Sequence, residues 1–224
     1  MSIFDKIIAI VAPHDCLGCG SPGSLLCDTC SQKLQPVPKR CYRCRLLSND
    51  AETCTNCRQT SKLQHVYVAS YYDGIAKDLV WKLKFGGGQT AARQMSINMK
   101  NILNFSNCLP GTIIVPVPTA TSRIRSRGYD QAELLARELS RLTGLRQVAC
   151  LARLGQAHQV GANREQRQAQ LAEVYFVKKA STVFGSQILL VDDVLTTGST
   201  LEAAARVLKQ AGARQIDAAV FAQA

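Results

Sequence analysis

Residues 188–203 read ILLVDDVLTTGSTLEA and pass from an apolar to an acidic to a hydroxyl-rich segment. Ile188–Val191 is an unbroken apolar run, which is typical of a strand buried on both faces of a parallel sheet. Two carboxylates follow it, and then a loop of threonines, a serine and a glycine. A helical stripe begins at Leu201, and Gly212 is placed to end that helix. The stretch therefore predicts a strand–loop–helix unit.

The loop has the composition of an anion site at a helix start. A helix N-terminus presents unpaired backbone N–H groups and a partial positive charge, which attract a phosphate. Gly198 allows close approach or a positive φ. Hydroxyl donors surround it at Thr196, Thr197, Ser199 and Thr200. Because the adjacent Asp192 and Asp193 would repel a bare phosphate, they indicate ribose hydroxyls or a magnesium shell, and the loop predicts a sugar phosphate.

Residues 188–200 resemble the phosphoribosyl pyrophosphate motif of type I phosphoribosyltransferases, which has four apolar residues, two acids and then small residues with Thr and Gly. The resemblance implies that Asp192 and Asp193 face the ribose hydroxyls and that Thr196–Thr200 wrap the 5′-phosphate. It also implies a parallel α/β sheet and Mg²⁺ bound together with phosphoribosyl pyrophosphate.

Eight of the ten cysteines form four C-x-x-C pairs: Cys16/Cys19, Cys27/Cys30, Cys41/Cys44 and Cys54/Cys57. In a chain without a secretion signal this spacing is typical of zinc knuckles rather than disulfides, and eight thiolates supply two Zn²⁺ sites. Sequential sites are the simpler assignment, with the first two pairs in one and the last two in the other; a cross-braced pairing stays open. Cys108 and Cys150 stand alone and are expected to be small buried hydrophobes.

The two halves of this region resemble a double zinc ribbon, which has too few large apolar side chains to fold without metal. We place the ribbons at residues 1–63 and an α/β domain at residues 64–224. If the ribbons form a separate module, damage to the second ribbon is expected to leave ligand binding in the α/β domain mostly intact.

The α/β domain has the expected alternation of strands and helices. Predicted strands lie at residues 66–72, 112–115, 145–150, 173–177, 188–191 and 215–221, and predicted helices at residues 74–85 and 90–103. In the first helix, Trp81 is expected to pack in the core, while Lys82 and Lys84 are candidates to contact an anion.

An arginine-rich segment follows the strand at 112–115 and reads RIRSRGYDQ from Arg123 to Gln131. With the preceding VPVP it resembles the ComF/GntX family of competence and DNA-utilisation proteins, and that likeness covers nearly all the chain. The family typically has Phe-Asn where this chain has Tyr129-Asp130, so an anion contact at residue 130 is not expected. A flexible loop of the family corresponds to residues 151–171. It contains Arg164 and Arg167. Where the family's pattern R-x-x-N ends in Asn, this chain has Gln170.

The charge balance favours an anionic partner. The net charge is +11, and residues 121–170 hold nine arginines, no lysine and four acids. We assign Arg123, Arg125, Arg127, Arg164, Arg167, Lys82 and Lys84 to pyrophosphate or DNA phosphates. An extended loop would point Arg123, Arg125 and Arg127 to one side, with Tyr129 as a stacking face for a base.

No apolar run approaches the length of a membrane span, and Ile7–Val11 is too short for a signal peptide, so a cytoplasmic location is expected. Two functions are compatible with these patterns. The first is a ComF-like protein of DNA uptake that binds single-stranded DNA, retains a phosphoribosyl pyrophosphate site and works with DNA-uptake or helicase proteins. The second is an active phosphoribosyltransferase with an unknown acceptor; the sequence alone leaves turnover open.

Overall fold

The structure is a computed structural model that describes residues 14–86, 88–107, 111–154 and 174–224. Its strands are β1 Val66–Tyr71, β2 Ile113–Pro116, β3 Arg146–Gln147, β4 Leu151–Arg153, β5 Tyr175–Val177, β6 Gln187–Leu195 and β7 Gln215–Gln223. Its α-helices are α1 Asp28–Ser31, α2 Thr55–Arg58, α3 Gly74–Phe85, α4 Gly88–Ile102, α5 Thr121–Arg127, α6 Gln131–Thr143, α7 Ala180–Val183 and α8 Ser199–Gln210.

Five strands form one sheet in the order β1-β7-β6-β2-β3, and every pairing in it is parallel. The predicted parallel α/β fold is therefore confirmed. The order places β6 between β7 and β2, so the strand that carries the two acids lies at the middle of the sheet. Because parallel strands end at one edge, the loops after β2 and β6 meet there. Strands β4 and β5 pair antiparallel in a separate sheet of two strands.

The two faces of β6 contact different halves of the core. Leu189 and Val191 pack with residues of α3, α4 and α6, whereas Ile188 and Leu190 pack with the apolar stripe of α8. Alternation along the strand produces this division, since successive side chains point to opposite faces. The prediction of a strand buried on both faces is confirmed, because all four of these side chains are buried.

The cysteine-rich N-terminal region contacts both faces of the sheet. Cys16 and Cys30 belong to the core cluster of α3 and α4, whereas Tyr42 and Leu63 belong to the cluster of α8. The division of the chain at residue 63 stays a prediction. Among the described helices, none has both the length and the apolar character needed to cross a bilayer.

Local details differ from the sequence predictions in ways that bear on the site. The strand does not end before the acids: β6 continues to Leu195 because it pairs with β7 as far as Gln223. The arginine segment is not an extended loop but the helix α5, which Gly128 ends with φ 83°. Trp81 is not packed in the core, since more than half of its surface (54%) is exposed.

Candidate functional site

A cleft of about 360 Å³ opens at the carboxyl end of the parallel sheet. It contains both acids of β6, and we call it the acid cleft. Its other walls come from the ends of β1 and β7, the loop after β2, and helices α3, α5 and α6. It is lined by Tyr72, Lys84, Val117, Pro118, Thr119, Arg123, Arg127, Gln131, Arg153, Tyr175, Asp192, Asp193, Val194, Thr196, Thr200 and Ala224. Ligands of open α/β sheets bind at this edge.

The two acids have different electrostatic surroundings. The Asp193 carboxylate forms an ion pair with Lys84, with Oδ2 and Nζ 2.8 Å apart. The Asp192 carboxylate accepts a hydrogen bond from the backbone N–H of Asp193 at 2.9 Å. Burial, together with the negative charge of Asp193, raises the pKa of Asp192 well above the ordinary carboxyl value. The cleft thus holds two different carboxyl groups: Asp193, whose charge is balanced by Lys84, and Asp192, whose pKa is raised.

The loop after β6 has the geometry of a helix N-terminus with a bare glycine cap. Gly198 is the N-cap of α8 and has a φ of 79°, a left-handed conformation that favours glycine. Thr196 and Thr200 line the acid cleft. Thr197 and Ser199 instead line a second cleft on the other side of the loop, and their hydroxyl groups lie 3.0 Å apart. The hydroxyl residues of the loop are therefore divided between two clefts.

Three of the predicted cations line the acid cleft: Lys84, Arg123 and Arg127. On the helix α5, positions 123 and 127 are one turn apart and share a face, whereas position 125 projects roughly opposite. Arg125 and Lys82 do not line the cleft. The expectation that all three arginines point to one side is therefore wrong. Two other predicted cations, Arg164 and Arg167, lie outside the described residues, as do His158, Gln170 and Cys108.

The eight paired cysteines form two clusters, and in each the four sulfur atoms lie within 4.8 Å of one another. One cluster is Cys16, Cys19, Cys27 and Cys30, and the other is Cys41, Cys44, Cys54 and Cys57. This is the sequential pairing, so the cross-braced alternative does not apply. Zn–S bonds of about 2.3 Å place the thiolates of a tetrahedral site about 3.8 Å apart. The Sγ–Sγ distances of 3.7 Å and 3.8 Å in the first cluster and 3.6 Å in the second fit that geometry.

Neighbouring groups shift the pKa values of several clustered thiols in opposite directions. Hydrogen bonds from backbone N–H groups, that of Cys27 first, lower the pKa of Cys16 to about 6. Burial, followed by the neighbouring thiols, raises the pKa of Cys30 to about 12. Cys57 in the second cluster also has a pKa raised to about 12 by burial and its neighbours. Four sulfurs this close together can all be thiolates only when a bound cation offsets their charge.

Comparison with known proteins gives a family for the C-terminal part and relatives for the whole chain. Residues 123–224 match the phosphoribosyl transferase domain family. Competence protein ComFC of Bacillus subtilis is 27% identical over 201 residues, which cover 85% of this chain and 80% of that protein. Competence protein F of Haemophilus influenzae is also 27% identical, with 85% of this chain and 87% of that protein covered. The chain is a homologue of these competence proteins and carries a phosphoribosyl transferase domain.

Two further matches are a DNA utilization protein and a solved structure. The DNA utilization protein YhgH of Escherichia coli O6:H1 is 27% identical over 220 residues, which cover 92% of this chain and 96% of that protein. Among solved structures, the glutamine phosphoribosylpyrophosphate amidotransferase of B. subtilis matches with 16% identity and a TM-score of 0.44. That match covers 61% of this chain but only 29% of the amidotransferase, so this chain corresponds to less than a third of that enzyme's length.

Asp130 has a structural role in the phosphoribosyl transferase domain. It caps α6 by accepting a hydrogen bond from the N–H of Ala132, and it also accepts from the N–H and the hydroxyl of Thr119 at 2.9 Å and 3.0 Å. Its carboxylate therefore ties the loop after β2 to the start of α6. These bonds account for an acid at residue 130 without any contact to an anionic ligand.

Tyr129 packs against the protein and Trp81 is exposed, which is the reverse of what the sequence predicts for the two residues. The Tyr129 hydroxyl donates to the carbonyl of Leu83 at 2.7 Å, and its ring lies against Gly88, where an added Cβ would come within 2.5 Å. Tyr129 therefore packs the α3–α4 turn and is not a stacking face. The exposed aromatic surface belongs instead to Trp81 and Phe85, whose ring centroids are 5.8 Å apart. We call these two residues the aromatic pair.

Cations surround the aromatic pair and connect it with the acid cleft. The guanidinium of Arg127 lies 5.1 Å from the centroid of the Phe85 ring, and Lys82 Nζ lies 5.8 Å from that of Trp81. Arg127 also lines the acid cleft, so it connects the cleft with Phe85, although neither ring of the pair lines the cleft itself. Sequence reasoning missed this surface, since Trp81 and Phe85 are four residues apart on a helix whose apolar stripe suggested burial.

The lining of the acid cleft also contains Arg153 of β4 and Tyr175 of β5, which are not among the site residues assigned from the sequence. The Arg153 guanidinium lies 5.8 Å from the centroid of the Tyr175 ring. Both strands are short and, among the described residues, pair only with each other. The sequence places the strand at residues 173–177 at the mouth of the site, but no local pattern places Arg153 beside the acids. Cys150, next to β4, is buried as predicted, and burial raises its pKa.

Proposed function

We propose that this protein acts in DNA uptake, binds single-stranded DNA and retains a phosphoribosyl pyrophosphate site, with Zn²⁺ in both cysteine clusters. The acid cleft is the observation that carries the proposal. It combines two adjacent carboxylates, an anion-binding helix N-terminus and a cationic rim within one cavity of a phosphoribosyl transferase domain. The competence and DNA-utilisation names of the relatives support the biological role.

The side chains of the cleft have separable roles in this proposal. Asp192 and Asp193 accept hydrogen bonds from the ribose hydroxyls, and the N–H groups at the start of α8 bind the 5′-phosphate. Lys84, Arg123 and Arg127 face the pyrophosphate group and stabilise its negative charge. The oxygen donors of the two acids suit Mg²⁺, which when bound with the ligand would neutralise phosphate charge.

A second candidate function is an active phosphoribosyltransferase with an unknown acceptor. The presence of both acids and of the complete Thr/Gly loop favours it, since a protein that only binds DNA does not need them. Turnover requires that the pyrophosphate leave C1 of the ribose as an acceptor bonds to that carbon. Lys84, Arg123 and Arg127 would then stabilise the charge that develops on the departing oxygen.

Isotope-labelled phosphoribosyl pyrophosphate tests the two candidates together. Binding without release of labelled pyrophosphate, in the presence or absence of single-stranded DNA, supports the first candidate. Release that requires a particular acceptor supports the second. A wild-type protein that binds neither phosphoribosyl pyrophosphate nor single-stranded DNA contradicts both. Partners among DNA-uptake or helicase proteins stay a prediction.

Metal content gives a first quantitative prediction. Two clusters of four thiols at tetrahedral spacing should hold two Zn²⁺ per chain. Elemental analysis of the purified full chain measures this number directly. A value of one zinc or none per chain would contradict the two-site assignment, and cobalt substitution would then show by its thiolate charge-transfer bands whether either cluster binds metal.

The pH dependence of ligand binding gives a second prediction. Because the pKa of Asp192 is raised by burial and by Asp193, its charged form becomes available only above the ordinary carboxyl range. Affinity for phosphoribosyl pyrophosphate should therefore increase as the pH rises through the raised pKa. The linkage to stability has the opposite sign: since the folded state holds this proton more tightly, the stability that the protonated form contributes is lost as pH rises to the raised pKa.

The variant Asp193→Asn separates this effect from titration of the ligand's own phosphates. It removes the neighbouring negative charge, so the midpoint of the affinity change should move to lower pH. Asp192→Asn supplies the background, because any pH dependence left in that variant belongs to the ligand or to other groups. Calorimetric affinities with the same midpoint in wild type and Asp193→Asn would contradict the coupling of the two acids.

A further inference from the structure

The side chain of Tyr42 connects the second cysteine cluster with the phosphate-binding loop after β6. Tyr42 directly follows the ligand Cys41, and it is 94% buried with a relative exposure of 6%. Its hydroxyl donates to the carboxylate of Glu202 in the first turn of α8 and lies 2.9 Å from the Ser61 hydroxyl. Tyr42 and Glu202 are 160 residues apart in sequence, so the contact joins the cysteine-rich region to helix α8.

The Tyr42 ring also lies directly on Gly198, the N-cap of α8. A Cβ added at Gly198 would come within 2.8 Å of Cε2 of Tyr42, so the ring occupies the space where any other residue would have a side chain. Glu202 is linked to the same place, because its backbone N–H donates to the carbonyl of Gly198 at 2.9 Å. The ring and the hydroxyl of Tyr42 thus contact both ends of the first turn of α8.

The carboxylate of Glu202 accepts its hydrogen bonds from the cysteine-rich region. Besides the Tyr42 hydroxyl, it accepts a hydrogen bond from the backbone N–H of Lys62 at 3.3 Å. An acidic side chain in the first turn of a helix is attracted to the free N–H groups there, which are the same groups that bind a phosphate. Without Tyr42, Glu202 would be free to compete with the 5′-phosphate for them.

Among the residues that the structure describes, the first cysteine cluster has no comparable contact with the loop after β6. It lies on the opposite face of the sheet, where Cys30 packs near Gly18 and Ile75 at the start of α3. The two clusters have the same chemistry, with four thiols each and one exposed ligand each, Cys19 in the first and Cys44 in the second. They differ in which part of the α/β domain they touch, which makes one a control for the other.

We propose that Tyr42 is a positioning residue for the phosphate-binding loop, and that metal bound at the second cluster therefore increases the affinity of the loop for the 5′-phosphate of phosphoribosyl pyrophosphate. The proposal rests on the function proposed above. Bound metal holds the Cys41–Cys44 segment in place and thereby positions Tyr42, which lies within it. Tyr42 in turn holds Gly198 and Glu202 in the arrangement that leaves the N–H groups of α8 free for phosphate.

Matched serine variants of the full chain test the role of the metal. Cys44→Ser weakens the second cluster, and Cys19→Ser weakens the first. Calorimetry with phosphoribosyl pyrophosphate in Mg²⁺ should show about tenfold weaker binding for Cys44→Ser, which is the effect of losing one hydrogen bond to a charged group. Binding by Cys19→Ser should stay within a factor of about two of wild type. Equal losses in the two variants would overturn the proposal.

Substitutions at Tyr42 and Glu202 test positioning without changing any thiol. Tyr42→Ala should weaken binding about tenfold, and Tyr42→Phe should weaken it less because the ring still covers Gly198. Glu202→Gln in the Tyr42→Ala background should restore most of the affinity, since a neutral side chain no longer competes with phosphate. A purely structural role for Tyr42 predicts no such rescue, and its absence would overturn the proposal.

Hydrogen exchange separates failure of this inference from failure of the proposed function. Backbone amides of residues 195–202 should exchange faster in Cys44→Ser and Tyr42→Ala than in wild type, with or without ligand, while Cys19→Ser matches wild type. If wild type does not bind phosphoribosyl pyrophosphate, the proposed function fails, and unequal exchange in the two serine variants still supports the coupling. Unchanged exchange in Tyr42→Phe, Tyr42→Ala and Cys44→Ser refutes the coupling even if wild type binds the ligand.

Discussion

Replacing Asp192 and Asp193 together by asparagine is expected to weaken binding of phosphoribosyl pyrophosphate in Mg²⁺ by about 100-fold. A hydrogen bond to a charged group contributes about 1.5–3 kcal/mol and a neutral one about 1 kcal/mol, so the two substitutions together remove about 1–4 kcal/mol, a range that contains the roughly 2.7 kcal/mol of a 100-fold loss. The measurement is calorimetry at a pH where Asp192 is ionised. The same affinity in wild type and double variant would remove the two acids from the binding site.

The single variants are expected to differ, because only one of the acids is already paired. Asp193 forms its ion pair with Lys84 at 2.8 Å, so Asp193→Asn releases an ammonium group toward the pyrophosphate and offsets part of the loss. Asp192 has no cationic partner at that distance among the described residues, so Asp192→Asn should show the larger effect. A larger loss in Asp193→Asn would contradict this account of Lys84.

Asp78→Asn is the matched control for both acids. Asp78 lies on α3 and is exposed to solvent, so the substitution changes the net charge of the protein by the same amount as each single acid variant without touching the cleft. Its affinity for phosphoribosyl pyrophosphate should equal that of wild type. A loss like that of the acid variants would show that the effect comes from overall charge and not from contacts with the ribose.

The centre of the fold could be predicted from sequence because its signals are local. The run Ile188–Val191 has the character of a doubly buried strand, and the helix after it has both an apolar stripe and a glycine stop, Gly212 with φ 89°. The exact end of β6 could not be predicted, since pairing with β7 as far as Gln223 extends it through both acids to Leu195. The partner strand, and not the local sequence, sets that boundary.

The arginine segment contains a helix signal, but the alternation of its arginines favoured an extended loop. Arg123, Arg125 and Arg127 alternate, which suits a strand-like loop, but Gly128 has the position and the φ of a residue that ends a helix. Arginine also has a high helix propensity. In a helix, Arg123 and Arg127 share a face and Arg125 does not, whereas an extended loop would have placed all three on one side.

The roles of the aromatic residues had no local signal at all. Trp81 lies on a helix with a buried stripe at Leu79 and Leu83, and Tyr129 lies in an arginine-rich segment that suggested exposure. Tyr129 is half-buried because it packs against Gly88 and Leu83, and Tyr42 is buried because it packs against Gly198 and Glu202. Contacts over such separations depend on how the elements pack, which periodicity and composition do not encode.

Single-stranded DNA is expected to bind along the rim formed by Arg123, Arg127 and the aromatic pair Trp81 and Phe85. Binding to backbone phosphates releases counterions, with a salt slope of about −0.7 per phosphate contact for single strands. Replacing Arg123 and Arg127 together by alanine should therefore flatten the slope by about 1.4. Arg125→Ala is the matched control, because Arg125 lies on the same helix and projects away from the cleft.

The aromatic pair should contribute in a different way. Stacking of a base on an aromatic ring contributes about 1–3 kcal/mol, so Trp81→Ala should weaken binding by about 5- to 150-fold. Because Trp81 carries no charge, the salt slope should stay unchanged. The two kinds of variant thus separate phosphate contacts from stacking. A changed slope in Trp81→Ala, with no change in the arginine pair, would mean that the DNA follows another path.

The cysteine-rich region offers that other path, with basic residues at Lys39, Arg40, Arg43 and Arg45. Replacing these four by alanine should leave the slope as it is in wild type. If it flattens the slope and the Arg123/Arg127 variant does not, the cysteine-rich region binds the DNA and the rim does not. If wild type shows no binding to single-stranded DNA at low salt, the nucleic-acid part of the proposal is wrong. The acid cleft then supports the phosphoribosyltransferase alone, since its carboxylates and its phosphate-binding loop need no DNA to act.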